Sequence, residues 1–132
     1  MASISDVNSI VNDPEIYELT RCDGCPKYIE MPDHPLVEYF GFYEGGIQGL
    51  ITLHPWIDGK QIHMSMTSDY RHLGREFVKK ILAGQKTVYA NIPEFNKSVI
   101  NMAIKCGFVL VGFDGEFSRD GIVHKKVLLC RK

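Results

Sequence analysis

The sequence predicts a single α+β domain, and two observations predict it. Apolar residues alternate through the first half of the chain and then switch to helical spacing. Glycine-bearing turns separate the alternating stretches at short intervals. The 132 residues suit one domain over 1–132, long enough to bury a core.

The elements follow in order. Val7, Ile10 and Val11 are spaced as a helix over 5–11, with Ser3 or Ser5 as cap and Asp6 in the first turn. Asn12-Asp13-Pro14 interrupts it. A short second helix over 15–20 can restart with Pro14 at its first position. Residues 22–35 read as loop, because Asp23-Gly24, Cys25-Pro26, Met31-Pro32 and His34-Pro35 punctuate them. Strands are expected over 36–43, 47–53 and 61–67, joined by Glu44-Gly45-Gly46 and by a turn over 55–60 with Asp58-Gly59 at its tip. They form an antiparallel meander. In the third strand Ile62, Met64 and Met66 share one face, and His63 and Ser65 the other.

Phe77, Val78, Ile81 and Leu82 then mark a helix stopped by Gly84. A strand over 87–92 precedes a helix carrying Phe95, Val99, Met102 and Ala103, which Gly107 ends in a left-handed cap. Residues 108–117 and 122–130 form a final hairpin around Arg119-Asp120-Gly121. The order is α-βββ-α-β-α-ββ, without repeats, linkers or low-complexity tracts.

Composition narrows the function. Fifteen Lys+Arg against 16 Asp+Glu give a formal net charge of -1, without the basic excess of a nucleic-acid binder. No apolar stretch approaches the roughly 20 residues of a membrane span. Residues 1–13 do not read as a secretory signal, so a reduced, cytoplasmic setting with free thiols is expected for Cys22, Cys25, Cys106 and Cys130. Cys22 and Cys25 form a lone CxxC pair, which leaves a zinc half-site shared between subunits or a redox pair as alternatives to plain thiols. Cys106 reads as helix packing and Cys130 as a strand residue.

The segment from Asn96 to Phe108 starts a helix on Asn and ends it on Gly-Phe. It resembles the second half of the acetyl-CoA site in the GNAT (Gcn5-related N-acetyltransferase) superfamily. The stretch from Ser68 to Glu76 resembles the family's diphosphate loop, of the form Arg/Gln-x-x-Gly-x-Gly/Ala. The resemblance covers about residues 36–130. It implies a GNAT-like fold, with a central, mostly antiparallel mixed sheet flanked by helices, and acetyl-CoA as cofactor. It further implies transfer of an acetyl group to an amine, on a small molecule or a protein. Asp13 to Tyr17, Asp23 to Pro26, Leu53-His54-Pro55 and Ser118 to His124 resemble a subgroup encoded by tailed bacteriophages. Some of its members are labelled head-assembly or internal virion proteins. Phage head proteins are therefore a second class of partner.

By that resemblance Met66, Arg71, Leu73, Gly74 and Arg75 frame the cofactor, and Asn96 and Ser98 hold its arm. The physics of such a loop is general: a helix start offers unpaired N–H groups and partial positive charge to a diphosphate. Gly74 would remove a side chain where a phosphate comes close, and Arg71 would add a charge-assisted contact. Two positions depart from the family. Glu76 stands where a small residue is expected, and Ala103 stands where many members carry a Tyr acid. His63 is the candidate base, since histidine is neutral near physiological pH; a hydrogen-bonded strand histidine is its alternative reading. His54, beside Pro55, reads as a surface or hydrogen-bonded strand histidine, and His124, after the Asp120-Gly121 turn, as a solvated hairpin residue. Asn96 also reads as a helix cap.

Overall fold

A computed structural model describes residues 1–132. Helices α1 (Ile4–Val11) and α2 (Pro14–Thr20) precede strands β1 (Glu38–Tyr43), β2 (Ile47–Trp56) and β3 (Gly59–Met66). A 3-10 helix (Ser68–Leu73) runs into α3 (Gly74–Leu82), then come β4 (Val88–Pro93), α4 (Lys97–Lys105), β5 (Val109–Arg119) and β6 (Ile122–Arg131). The six strands form one mixed sheet in the order β1-β2-β3-β4-β6-β5, and only β3 and β4 run parallel. No helix is long and apolar enough to cross a membrane.

Local chemistry sets the element ends. Ser3 accepts the Asp6 N–H at 3.2 Å and Asp13 accepts the Glu15 N–H at 3.0 Å, capping α1 and α2. β2 extends past its expected end to Trp56, taking Pro55 into the strand. β1 stops opposite Leu53, so Pro55 lies beyond the β1 ladder, where a missing N–H costs nothing. The turn therefore tightens onto Ile57-Asp58.

Two cores lie on opposite faces of the sheet. Phe77, Val78 and Leu82 of α3, Ala103 of α4 and Cys106 just after it pack on Ile51, Leu53, Val88, Ala90 and Leu129. On the other face Val7, Ile10 and Ile16 of α1 and α2 cover Tyr39 and Leu50.

The segment after α2 is held by polar contacts rather than by a strand. Asn12 donates to Ile29 O at 2.7 Å and accepts from Ile29 N–H at 2.7 Å, and Asn8 accepts from Met31 N–H at 2.8 Å. Asp23 accepts the N–H groups of Asp120 and Gly121 at 2.8 and 2.9 Å. Arg119 donates to Leu19 O at 2.6 Å and Arg21 O at 2.8 Å, a cation on the carbonyl end of α2.

One expectation is corrected here. Cys22 and Cys25 are not free thiols but a disulfide. Gly24, at φ 78°, takes the left-handed backbone that folds the two cysteines together. Cys106 and Cys130 are free and buried, as packing residues.

Leu53 is fully buried in the larger core, whereas Ile104 of α4 is 52% exposed. Leu53→Ala should cost about 2–5 kcal/mol in urea unfolding, and Ile104→Ala less than about 0.5 kcal/mol.

Candidate functional site

β3 and β4 pair only at Lys60↔Val88, Gln61↔Tyr89 and Ile62↔Ala90, then diverge. At the closed end Lys60 N–H donates to Thr87 O at 3.0 Å. Alternation along the strand turns the N–H and C=O of Met64 to the same edge, facing the gap rather than β4. A wedge thus opens in the middle of the sheet, with free backbone donors on one wall.

Two cavities meet at this wedge. One, of about 460 Å³, lies between β3, β4, α3 and α4, and its lining includes Asn91, Asn96, Val99, Met102 and Ala103. The other, of about 590 Å³, lies beneath α1, α2 and the loop after them. Both are lined by Thr20, His63, Met64 and Ser65. His63 therefore stands where the cavities join, on the face opposite Ile62 and Met64, as the strand alternation predicts.

His63 has a partner. Its Nε2 lies 3.0 Å from His54 Nε2, and His54 Nδ1 lies 3.0 Å from Pro55 O. A carbonyl only accepts, so His54 carries its proton on Nδ1 and offers its Nε2 lone pair. His63 must then donate from Nε2, which leaves its Nδ1 lone pair free. His54 is a half-buried strand histidine with a hydrogen-bond partner on each ring nitrogen. The His63 ring is open to the cleft but enclosed by protein on its other sides. That enclosure, with His54 and then Lys126 nearby, lowers its pKa from 6.5 to about 4. His124 is likewise no free surface ring: it is half-buried edge-on against Phe95, centroids 4.6 Å apart.

Asn91 of β4 was not legible as a site residue. Its Nδ2 donates to the Asp114 carboxylate and, at 3.2 Å, to Asp114 O, while its Oδ1 is buried with no partner. An orphaned acceptor on a cavity wall suits an amide N–H of a ligand. Asn96 is half-buried at the start of α4, and its side chain makes no capping bond to the helix. Its Oδ1 receives only a long 3.5 Å approach from the exposed Ser98 hydroxyl. The amide is therefore free for a ligand on the wedge side.

The loop before α3 is tied by contacts of its own. Gly74 is buried at ordinary helical φ, and a Cβ there would meet Met66 Sδ at 3.4 Å and Met64 Cε at 3.5 Å. A side chain as small as a methyl would make only ordinary van der Waals contact there, so the methionines beneath do not by themselves demand glycine. Met66 is itself a core residue, 3% exposed. Leu73, Arg75 and Glu76 are exposed on the first turn of α3. Arg71 is held at both ends: Nε donates to Met66 O at 3.2 Å, and Nη2 donates to Glu15 at 2.9 Å. The same Glu15 carboxylate oxygen accepts the Ser68 N–H. A carboxylate of α2 thus sits on the donors that an anion would use. Ala103 is buried on α4 at the wall of the smaller cavity and carries no hydroxyl to act as an acid.

No family model matches the chain, and no curated protein matches it. Solved structures do. A variant of the spermidine N-acetyltransferase SpeG from Vibrio cholerae superposes with a TM-score of 0.77 at 12% identity, over 98% of this chain and 91% of that one. A chimera of that enzyme with hSSAT gives 0.65 at 14% identity, over 75% and 69%. An IAA acetyltransferase from Bacillus cereus gives 0.57 at 16% identity, over 68% and 73%. The likeness is one of fold: the chain has the GNAT fold, the architecture on which these N-acetyltransferases are built.

The lowered His63 pKa gives a stability prediction. Between pH 6.5 and 4 the unfolded chain protonates this histidine and the native state resists, so stability falls as pH falls through that window. The melting temperature of the native protein should drop more between pH 6.5 and 4.5 than that of His63→Gln. Equal drops would assign the effect to other groups.

Proposed function

We propose that the protein is an N-acetyltransferase that moves an acetyl group from acetyl-CoA to an amine. The observation that carries this reading is the wedge: two cavities enter it from opposite faces and meet at one histidine with a free lone pair. Bound acetyl-CoA supplies an activated thioester acetyl group. The orphaned Asn91 Oδ1 and the uncommitted Asn96 side chain suit the amides of its arm, and Ser98 stands beside Asn96 at the mouth. The edge N–H of Met64 suits the thioester oxygen. Arg71, Leu73, Gly74 and Arg75 lie at the end where the diphosphate belongs, with Met66 beneath them. His63 Nδ1, unprotonated at neutral pH, accepts the proton that the amine sheds. Without a hydroxyl at Ala103, the departing thiolate takes its proton from solvent.

A second reading, a catalytically inactive GNAT-fold protein that joins a phage head, is favoured by the Glu15 carboxylate on Arg71 and Ser68. Under it the diphosphate donors are permanently spent, and co-sedimentation with phage head intermediates would be expected instead of acetyl-CoA binding.

Thermal unfolding with acetyl-CoA separates the two. A ligand at 100 times its Kd stabilises by about 2.7 kcal/mol, on the order of 10 °C for a domain of this size. A saturable shift supports the enzyme; no shift at millimolar acetyl-CoA overturns it. His63→Ala should keep that shift and lower kcat by roughly 10²–10⁴-fold. Glu15→Gln should tighten acetyl-CoA binding about 2–5-fold in calorimetry, because it frees Arg71 from a partly exposed ion pair.

A further inference from the structure

The two cavities divide polarity unevenly. The 590 Å³ cavity is walled by Val11, Ile16, Ile29, Met31, Val37 and Leu50. Several of its polar groups away from β3 are already engaged. The Tyr39 hydroxyl donates to Pro32 O at 2.7 Å, the Thr20 hydroxyl donates to Ile16 O at 3.1 Å, and His34 Nδ1 accepts the Leu36 N–H at 3.1 Å. At the β3 end His63 Nδ1 and the Ser65 hydroxyl face the junction. No Asp or Glu lines either cavity, and Lys126 is the one charged lining residue.

Resting on the acetyl-transfer reading, we infer that this cavity takes a primary amine carried on a hydrocarbon body, and rejects polyamines. The apolar wall gains from burying a hydrocarbon body. On the sheet the unspent hydroxyls of Ser65 and of Thr52, which stands opposite His63, lie where the reacting nitrogen must arrive. A second ammonium placed deep in the cavity would lose its hydration without a carboxylate to replace it. Lys126 adds like charge at the junction, which favours the neutral amine that transfer requires. The likeness to a spermidine N-acetyltransferase extends to the fold, and a fold does not choose the acceptor.

The test measures binding and transfer separately on the full chain. Saturation-transfer NMR without acetyl-CoA should show hexylamine and phenethylamine binding at least tenfold tighter than putrescine or spermidine. Met31→Glu, which sets a carboxylate against the apolar wall, should shift that preference at least tenfold toward putrescine. If circular dichroism shows this variant unfolded, Ile29→Asp makes the same test. Putrescine or spermidine binding as tightly as hexylamine would overturn the inference, and so would an unchanged preference in a folded carboxylate variant. Mass spectrometry of the amines with saturating acetyl-CoA then reads the transfer. Selective binding of hexylamine without acetylation would keep the amine site and reject the transferase. Acetylation of spermidine in preference to hexylamine would keep the transferase and reject this acceptor class.

Discussion

The short parallel seam between β3 and β4 is the constraint on which the rest of the structure depends. Each strand is fully paired on its other side, β3 with β2 through eight residue pairs and β4 with β6 through six. The sheet therefore holds together as two antiparallel halves even though the seam has three pairs. Separation beyond the seam exposes backbone groups along the gap, and a ligand can satisfy them. The closed end is fixed by close approach. A Cβ on Gly59 would stand 2.3 Å from Thr87 O, so a side chain there would push the strands apart where they must touch. Trp56 packs edge-on against Tyr89, centroids 5.1 Å apart, and the Tyr89 hydroxyl donates to Asp58 at 2.6 Å. With one end tied, the twist of each half opens the other end.

The two faces of the wedge are built by different forces. The side that would hold the cofactor arm belongs to the main core, where α3 and α4 lie on the sheet through buried aliphatic and aromatic side chains. The opposite side rests on a core of five buried residues and on polar staples. Asn8, Asn12 and Arg119 hold backbone groups of a long irregular segment that has no ladder of its own, and Asp23 of that segment accepts N–H groups of the β5–β6 turn. Such a segment must satisfy its backbone groups through side chains. Its apolar residues are then free to face the cavity, which is why Ile29 and Met31 form its wall.

What could be read from the sequence followed from periodicity. The alternation in β3 put His63 and Ser65 on one face and Met64 and Met66 on the other, and the glycines at 45, 46, 84 and 107 marked real turns. What could not be read depends on contacts distant in the chain. Glu15 and Arg71 are 56 residues apart, so nothing local announces that a carboxylate of α2 covers the loop. Asn91 is an ordinary strand residue until its Oδ1 is found buried and unpartnered. The CxxC pair left several chemistries open, and only the left-handed turn at Gly24 brings its sulfurs together.

The histidine pair shows how a backbone carbonyl can direct a proton. Pro55 O fixes the proton of His54 on Nδ1, and His54 Nε2 is then committed as acceptor to His63. Both nitrogens of His54 are occupied. A proton added to His54 Nε2 would set two N–H groups against each other at 3.0 Å. A proton added to His63 Nδ1 breaks nothing. Uptake from the junction is therefore steered to one atom, on the strand edge where the two cavities meet. His54 acts only through that hydrogen bond, so its removal leaves His63 present but free to present either nitrogen to the cleft.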